Sequence, residues 1–516
     1  MNIEINPEFK KAFDIMEYSS DNLFLTGRAG TGKSTLLNYF KAKTSKKIVV
    51  LAPTGVAALN VGGQTIHSFF RFKPDITEDK IEKLSERALK IYKQLDTIVI
   101  DEISMVRADL LDYIDIFLRR NLGKNRAFAG IQMIFIGDLY QLPPVVKKDE
   151  KGIFNERYKS HYFFDADVFK KLNFRFVELE KVYRQSDEGF IHILNKIRNN
   201  TIADDELCLL NKRANKRPDD EKYMIYLTPL NRTAKEINEK KLNELNTDIH
   251  IFNAITAGNF KETDFPTDEE LRLACGAQVM LLNNDSRGRW VNGTIGIIID
   301  FDIGDDGEDV VVIEKEDGDI VSVKPHKWEM FRYTYDEKKK KIGTEATGSF
   351  TQFPLRLAWA ITIHKSQGKT FDKVLIDISS GVFAHGQTYV ALSRCRSLEG
   401  MYLKSPVKKQ HIIMDRRIIN FLTEYQYDIS EKETPLNIKT DIINNAIKNK
   451  TELKITYLKT NDEKSIRIIR PIAFETISFG GKKIYGLKAF CYKRNEERFF
   501  KIERILEINE IKSKIL

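Results

Sequence analysis

The sequence GRAGTGKS, at positions 27–34, restricts the fold of this chain more than any other stretch. It fits the pattern of a phosphate-binding loop, in which glycines let backbone N–H groups surround phosphates and a lysine reaches the outer ones. An apolar run precedes the loop, and residues with helical spacing follow it. This order of strand, loop and helix predicts a nucleotide site built by Gly27, Gly30, Thr31, Gly32, Lys33, Ser34 and Thr35. The alternative is a glycine-rich turn without a ligand.

Two later apolar runs end in the other groups that a nucleotide hydrolase needs. One leads directly into Asp101 and Glu102, and the next leads into Gln141. Asp101 and Ser34 are predicted to hold Mg²⁺, and Glu102 to orient and deprotonate the attacking water. Gln141 is predicted to sense the terminal phosphate. The alternatives are an acidic pair that caps the following helix and a glutamine that is simply a polar turn residue.

The alternation of apolar strands and helical stretches predicts an α/β fold with parallel sheets and helices on both faces. At 516 residues the chain exceeds the size of a single core, so two to four domains are expected. A content of 42% hydrophobic and 30% charged residues is typical of a soluble protein. The sequence lacks an apolar run long enough to cross a bilayer and the apolar core of a signal peptide, so no membrane partner is expected.

The cysteine pattern bears on the cellular compartment. The four cysteines are far apart and lack metal-ligand spacing, which fits a reduced cytoplasmic protein without disulfides or zinc; they are Cys208, Cys275, Cys395 and Cys491.

The positive charge is concentrated near the carboxyl terminus. Residues 435–516 hold 18 Lys and Arg against 10 Asp and Glu, a net charge of +8 out of +9 for the chain. A basic module on a nearly neutral body indicates an anionic partner, most often nucleic acid. The alternative is a lysine-rich face that is only solvated.

Several longer segments resemble a known family. In the first half they are LAPTGVAALNVGGQTIHSFF at 51–70, VIDEISMV at 99–106 and IGDLYQLPPV at 136–145. In the second half they are VELEKVYRQ at 177–185, TIHKSQGKTFDKVLID at 362–377 and GQTYVALSRCRSLEGMYL at 386–403. Together they resemble the ordered motifs of superfamily-one DNA helicases. The stretch 109–130 is similar to the PIF (petite integration frequency) family, the 5′-to-3′ branch that also includes RecD-type enzymes.

The resemblance, which covers about residues 6–425, implies two RecA-like P-loop domains with ATP between them and single-stranded DNA across their top. The expected borders are 1–175 for the first domain, with a wedge subdomain at about 70–95, and 176–246 with 348–428 for the second. A Src-homology-3-like β-barrel insertion is expected at 247–347, a linker at 429–435 and a small β-rich module at 436–516. The wedge segment reads alternatively as a surface helix.

Inside the insertion, four short β segments are joined by glycine and aspartate turns, which indicates a small barrel; they are 277–282, 293–301, 310–314 and 319–323. The basic stretch DEKKKKI at 336–342 suits phosphate contact, and it equally fits a solvated hairpin tip.

The family motifs also imply roles for particular residues. Arg184 and Arg394 match two arginines that reach the terminal phosphate, where a planar guanidinium stabilises the charge of the transition state. Gly368 matches a position near the same phosphate. The residues that match DNA contacts are Thr54, His67, Phe69, Thr362, His364 and Ser366. Backbone and hydroxyl contacts would position the strand, and aromatic rings would stack on bases.

One position departs from the family pattern. Family members commonly carry a glutamine before the phosphate loop that pairs with the adenine edge, and Phe9 stands at the corresponding position here. A phenyl ring can stack on a base but makes no bidentate amide pair. The preference for ATP over other nucleoside triphosphates is therefore less firmly expected than hydrolysis.

The basic module at 436–516 resembles a WYL domain, although Tyr485, Gly486 and Leu487 replace its signature triad. Four aromatic residues alternate with basic ones, which suits single-stranded DNA; they are Tyr485, Phe490, Tyr492 and Phe499, beside Arg494, Arg498, Lys501 and Arg504. Several of these rings must form the core of so small a domain, so we expect only one or two to be exposed.

The resemblance implies an ATP- and Mg²⁺-dependent helicase that moves 5′-to-3′ on single-stranded DNA and separates duplex or forked DNA. Quadruplex DNA is left open as a substrate, and replication, repair or recombination as the pathway. A monomer that is cytoplasmic and nucleoid-associated is expected, with a second strand site on the WYL-like domain as a hypothesis.

One alternative function is a nucleotide-gated DNA-binding regulator with a vestigial motor. The presence of Lys33, Glu102, Gln141, Arg184 and Arg394 argues against it. A RecD-like recombination subunit or a relaxase fragment is disfavoured by the short amino terminus.

Overall fold

The structure is a computed structural model that describes residues 4–73, 76–146, 154, 156–185, 187–304, 307–336, 341–379, 381–382, 384–460, 462–479 and 482–511. The chain forms two units. The first comprises Met1–Ile197 and Ala203–Ile413, and the second comprises Arg198–Ile202 and Met414–Leu516.

The first unit begins with a six-stranded parallel sheet in the order β3-β2-β4-β5-β1-β6. Its strands are β1 (Asn22–Gly27), β2 (Ile48–Ala52), β3 (Gln64–Thr65), β4 (Thr97–Ile100), β5 (Gln132–Ile136) and β6 (Phe174–Leu179). β4 and β5 are buried throughout, which explains why they read as continuous apolar runs. The carboxyl ends of β1, β4 and β5 lead into the phosphate loop, the acidic pair and the Gln141 segment. The predicted first RecA-like sheet is thus confirmed.

Helices cover this sheet and supply its core. They are α1 (Pro7–Tyr18), α2 (Lys33–Lys43), α3 (Gly55–Asn60), α4 (Ile66–Phe70), α5 (Glu86–Lys93), α6 (Ala108–Leu122) and α7 (Asp167–Lys170). α1 begins where the side chain of Asn6 accepts a hydrogen bond from the N–H of Phe9 at 2.8 Å. Its buried face, which includes Phe9 and Met16, packs in one cluster with Leu36 and Phe40 of α2.

The segment 70–95 contains α5, which is amphipathic and packed. Leu89, Ile91 and Tyr92 are buried, and the Tyr92 hydroxyl donates to the Phe69 carbonyl at 2.5 Å. The polar residues before α5 are mostly exposed. The wedge role of this segment stays a prediction.

A second parallel sheet, in the order β18-β7-β19-β20, lies in the same unit. Its strands are β7 (Ile225–Thr228), β18 (Ala360–Thr362), β19 (Val374–Ile376) and β20 (Met401–Leu403). The accompanying helices are α8 (Glu188–Arg198), α9 (Asp204–Asn211), α10 (Asn231–Glu244) and α11 (Gln387–Leu392). This sheet confirms the second RecA-like half.

Antiparallel strands separate β7 from β18 in the sequence. They are β8 (Ile249–Asn253), β9 (Ile255–Gly258), β10 (Glu270–Ala274), β11 (Gln278–Leu281), β12 (Ile295–Ile303), β13 (Asp309–Lys315), β14 (Ile320–Val323), β15 (His326–Asp336), β16 (Lys341–Gln352) and β17 (Leu355–Leu357). β11 to β14 confirm the four predicted β segments. β17 pairs with β11, so the insertion extends past the expected border at 347. Residues 337–340 of the predicted basic loop lie outside the described residues.

The long hairpin of β15 and β16 reaches the first sheet. The Tyr333 hydroxyl accepts a hydrogen bond from the Val50 N–H at 3.1 Å, and its ring meets the Phe69 ring edge-on at 5.9 Å. The insertion therefore touches both the sheet edge and the segment that was expected to face DNA.

The second unit pairs helices with one antiparallel sheet in the order β24-β23-β22-β21-β25. Its elements are α12 (Arg416–Glu433), α13 (Leu436–Asn449), β21 (Leu453–Leu458), β22 (Lys464–Phe479), β23 (Lys482–Cys491), β24 (Glu496–Phe500) and β25 (Ile505–Glu510). Tyr485 and Tyr492 are exposed, whereas Phe490 and Phe499 are partly buried, as expected.

The expected linker at 429–435 is wrong for most of its length. Residues up to Glu433 belong to α12, and only Thr434 and Pro435 separate it from α13. Ser430 explains the helix, because its hydroxyl is buried and donates to the Leu506 carbonyl at 2.7 Å.

Within the described residues, none of the helices has the length and apolar character needed to span a membrane.

Candidate nucleotide and DNA site

The phosphate loop joins β1 to α2 and needs glycine at two positions. Gly30 and Gly32 have φ angles of 79° and 91°, which favour glycine. A Cβ atom on Gly30 would also lie 2.4 Å from the Cβ of Arg184. The Gly30 carbonyl accepts a hydrogen bond from the Tyr183 N–H at 2.9 Å. The loop therefore packs directly on the segment that carries Arg184.

Lys33 begins α2 and points back into the loop. Its Nζ donates to the Gly27 carbonyl at 2.6 Å and to the Arg28 carbonyl at 3.0 Å. Burial lowers the pKa of Lys33, and the carboxylates of Asp138, Glu102 and Asp101 oppose that shift. The lysine is thus held by carbonyls that a phosphate would replace. Ser34 and Thr35, in the first turn of α2, are exposed.

The acidic pair follows β4, and Gln141 follows β5. Burial raises the pKa of Asp101, and burial together with the neighbouring Asp101 raises that of Glu102. Gln141 is 7% exposed and its Nε2 donates to Asp138 Oδ2 at 3.3 Å. These side chains gather at the carboxyl edge of the sheet, as the sequence predicts.

Arg394 reaches this region from the second half of the chain. It is 1% exposed, and burial lowers its pKa to about 9. Nε donates to the Val390 carbonyl at 2.9 Å, and Nη1 donates to the Ser366 and Lys369 carbonyls at 3.3 and 3.2 Å. The guanidinium therefore holds together the turn that contains Gly368.

Arg184 is less fully bonded. Its Nη2 donates to the Gly368 carbonyl at 3.0 Å, while its buried Nη1 has no hydrogen-bond partner among the described residues. A buried donor without an acceptor is costly, and a catalytic role or a bound ion is among the explanations for such a group. The position beside the loop indicates an anion.

Two further side chains join the halves of the chain. Gln367 Nε2 donates to Glu102 Oε2 at 3.2 Å and to Gln141 Oε1 at 3.1 Å. The Tyr389 hydroxyl, on α11, accepts from the Ala29 N–H of the loop at 3.1 Å. The loop, the acidic pair and the glutamine thus all contact the second half.

The segments expected to face DNA present few of the predicted side chains to solvent. Thr54 and His364 are exposed, and His67 is partly buried. Thr362 and Ser366 are 3% and 0% exposed. The Ser366 hydroxyl donates to the Ile363 carbonyl at 2.7 Å, and the Thr362 hydroxyl accepts from the Lys365 N–H at 3.3 Å. These two hydroxyls shape the turn, so we replace their expected DNA contact with that role.

Comparison with known proteins identifies the family of this chain. A family model described as PIF1-like helicase matches residues 4–207. The ATP-dependent DNA helicase Pif1 of Bdellovibrio bacteriovorus is 32% identical over 435 residues, which cover 82% of this chain and 93% of that protein. The chain belongs to the PIF1-like helicase family. A WYL domain model matches residues 439–510, which confirms the expected carboxy-terminal module of this PIF1-like chain.

Solved structures of Bacteroides Pif1 resemble this PIF1-like chain. The complex with ADP-AlF4 is 39% identical with a TM-score of 0.76, and the match covers 83% of this chain and 98% of the Bacteroides chain. The form bound to single-stranded DNA is 40% identical with a TM-score of 0.61 and the same coverage. The TM-score is thus higher for the nucleotide complex than for the DNA complex.

Two aromatic predictions for the PIF1-like chain are wrong. Phe9 is 5% exposed, belongs to the core and meets the Tyr39 ring edge-on at 5.6 Å, so it is unavailable to a base. Phe69 is 4% exposed and packs against Phe70, Tyr92 and Tyr333. Both rings fill apolar space that sequence alone left unassigned.

The PIF1-like chain also carries site residues that the motifs contained but sequence reasoning did not select. They are Asp138, Gln367 and Tyr389, each next to or inside a quoted motif. Their signal was a polar side chain within a quoted motif: Gln367 stands between Ser366 and Gly368, Asp138 three positions before Gln141, and Tyr389 five positions before Arg394. What the sequence lacks is the orientation of each side chain across the cleft.

The donor set fits magnesium bound together with a nucleotide. Ser34 and Asp101 supply hard oxygen atoms, which suit Mg²⁺. Among the described residues there is no preformed cluster of three His, Cys, Asp or Glu ligands. Mg²⁺ commonly uses one or two protein oxygens and completes its shell with phosphates and water.

Proposed function

We propose that this PIF1-like chain is an ATP-dependent DNA helicase that moves 5′-to-3′ along single-stranded DNA and separates duplex DNA. The observation that carries the proposal is the buried, unpartnered Nη1 of Arg184 beside the phosphate loop. An arginine from the second half, packed on a loop of the first, suits a phosphate that both halves bind together. The direction follows from the family.

The proposed hydrolysis uses groups already in place. Lys33 would exchange the Gly27 and Arg28 carbonyls for phosphate oxygens. Arg184 would offer Nη1 to the terminal phosphate, where charge develops in the transition state. Glu102 would accept the proton of the attacking water. Mg²⁺ bound through Ser34 and Asp101 would neutralise charge on the phosphates.

Movement on DNA would follow from the bonds of Arg394. Its guanidinium binds the carbonyls of Ser366 and Lys369, which directly follow the exposed His364 in the same turn. A change at the terminal phosphate would therefore shift the turn that faces the strand. Arg394 thus connects nucleotide state to DNA contact.

Base recognition is assigned to Tyr183 in place of Phe9. Its ring is 46% exposed, its backbone is bonded to Gly30, and its hydroxyl accepts from Asn6 Nδ2 at 3.3 Å. An exposed ring beside the phosphate loop can stack on a base of any identity. We therefore expect a weak preference among nucleoside triphosphates.

The second unit is proposed to bind additional single-stranded DNA. Exposed Tyr485 and Tyr492 supply stacking surfaces, and exposed Lys493 and Arg494 supply positive charge. The active form is proposed to be a monomer in the bacterial cytoplasm, associated with the nucleoid.

The domain borders that we propose follow the sheets. The first RecA-like domain spans about 1–179, because β6 belongs to its sheet, and the second spans 180–246 and 358–413. The insertion then spans 247–357, and the WYL-containing unit begins at 414.

The experiment that tests this function is ATP hydrolysis with and without single-stranded DNA. We expect DNA to stimulate hydrolysis. We expect Lys33→Ala to lower the rate of hydrolysis by about a hundredfold or more, since the outer phosphates lose their cation. Hydrolysis by Lys33→Ala at the parent rate would overturn the site.

A further inference from the structure

Gln367 lies between the segment assigned to DNA and the groups assigned to hydrolysis. We propose that Gln367 is the positioning residue through which bound single-stranded DNA controls Glu102 and Gln141. This inference rests on the proposed function, and neither the family motifs nor the expected roles of neighbouring residues assigned Gln367 a task.

The turn around Gln367 is tightly bonded to the DNA-facing segment. The Gln367 N–H donates to the His364 carbonyl at 3.2 Å, and the Ser366 N–H donates to the Thr362 carbonyl at 3.0 Å. Gly368 follows with a φ of 80°. Because these bonds form one short turn, a displacement of the exposed His364 moves Gln367 with it.

The side-chain nitrogen of Gln367 donates both of its hydrogen bonds to the first half of the chain. Its two N–H groups match its two acceptors, Glu102 Oε2 and Gln141 Oε1. Gln141 in turn donates to the buried Asp138. Among the described residues, the structure records Gln367 as the side-chain hydrogen-bond donor to Glu102.

These bonds make the position of Gln367 consequential for hydrolysis. Glu102 must accept a proton from water, and Gln141 must face the terminal phosphate. If the turn moves, the amide leaves one or both acceptors, and buried acceptors that lose their donor reorient or recruit another. DNA bound at the turn therefore changes the two groups that act on the attacking water and the phosphate.

The test compares DNA stimulation in variants of the full chain. Gln367→Met keeps the length of the side chain and removes both donors, and Gln367→Asn keeps the amide but is too short to reach. The measured quantity is the ratio of kcat with saturating single-stranded DNA to kcat without DNA. We expect this ratio to fall about fivefold or more in both variants.

A purely structural role of Gln367 would not lower the stimulation ratio while leaving ligand binding unchanged. We expect the KM for ATP and the Kd for single-stranded DNA to stay within about threefold, because Gln367 is assigned contact with neither ligand. In the double variant Gln367→Met with Gln141→Met, the ratio should fall by less than the product of the two single effects, since Gln367 acts partly through Gln141 and partly through Glu102.

Gln278→Met is the matched control. Gln278 is 2% exposed, and its Nε2 also donates twice, to the Met224 and Ala358 carbonyls at 3.0 and 2.8 Å. Its loss should lower Tm and leave the stimulation ratio unchanged.

If folded Gln367→Met and Gln367→Asn keep a stimulation ratio within about twofold of the parent value, the role of Gln367 is overturned. The proposed function still stands in that case, provided that DNA stimulates the parent protein. Absence of stimulation in the parent would overturn both. An equal fall of the ratio in Gln278→Met would also overturn the role, because lost stability alone would then explain it.

Discussion

At the scale of single residues, Arg184 and Arg394 differ in how completely their guanidinium groups are hydrogen-bonded. Arg394 is fully buried and bonded to several acceptors, so it supports the fold as well as the site. Arg184 has one bonded nitrogen and one buried nitrogen without a partner among the described residues. Arg394 therefore stabilises the fold, whereas Arg184 keeps a donor for which a bound phosphate could be the acceptor.

The difference predicts separate outcomes for Arg184→Lys and Arg394→Lys. Arg184→Lys should lower kcat by about a thousandfold with little change in Tm, because it sacrifices one hydrogen bond and the planar fork. Arg394→Lys should lower both kcat and Tm, because buried carbonyls lose donors. Steady-state hydrolysis and thermal unfolding measure the two effects. Equal loss of Tm in both variants would contradict the distinction.

Much of the nucleotide site could be predicted from sequence, because its residues occur at strand ends in a fixed order. Lys33, Glu102, Gln141 and Arg394 meet as expected. Phe9 was misassigned because the burial of a ring depends on neighbours that are distant in sequence. Gln367 was missed because nothing in the sequence states which way an amide points.

At the scale of secondary-structure elements, α11 is one point of contact between the two halves of the first unit. Gly386 precedes it with a φ of 72°, and a Cβ there would lie 2.3 Å from the Tyr140 carbonyl oxygen. The same helix supplies Tyr389, whose hydroxyl bonds the loop. The start of α11 thus fits against the segment that carries Gln141.

Gly386→Ala should therefore destabilise the chain by about 2 kcal/mol or more, from backbone strain and steric overlap. Gly381→Ala is the control, since Gly381 has a φ of 91° but no described residue lies within 4 Å of an added Cβ. It should cost about 1 kcal/mol from strain alone. Denaturant unfolding checks both values, and equal losses would show that the overlap is relieved without cost.

Elements with strong apolar patterns were predicted well, and their borders less well. β11 to β14 match the four predicted segments, and β1, β4 and β5 match the apolar runs before the phosphate loop, the acidic pair and the Gln141 segment. The sequence at 429–435 predicts a linker, but residues 429–433 contain neither proline nor glycine and continue α12. Their helix is stabilised by tertiary bonds such as that of Ser430, which sequence does not reveal.

At the scale of the whole molecule, the positive charge is concentrated in the carboxy-terminal part of the sequence. Residues 435–516 carry a net charge of +8 out of +9 for the chain. Neutralised phosphates release counterions, so each contact steepens the dependence of DNA affinity on salt. The second unit is therefore expected to contribute affinity more than catalysis.

Deletion of residues 414–516 should weaken binding of single-stranded DNA and flatten its salt dependence, while ATP hydrolysis stays measurable. The cut precedes α12, because a cut at 436 would remove Leu506, whose carbonyl accepts a hydrogen bond from the buried Ser430 hydroxyl of α12. A full-length variant with Lys483, Lys493 and Arg494 changed to Gln should shift the slope in the same direction. Unchanged affinity and slope in both proteins would contradict this role.

The central claim is that the closing cleft drives movement from the 5′ end of a strand. It is tested most directly by strand separation on duplexes with a single-stranded tail at either end, in the presence of ATP and Mg²⁺. We predict separation from the 5′-tailed duplex and none by Lys33→Ala. Separation from the 3′-tailed duplex alone, or separation by Lys33→Ala, would contradict the account.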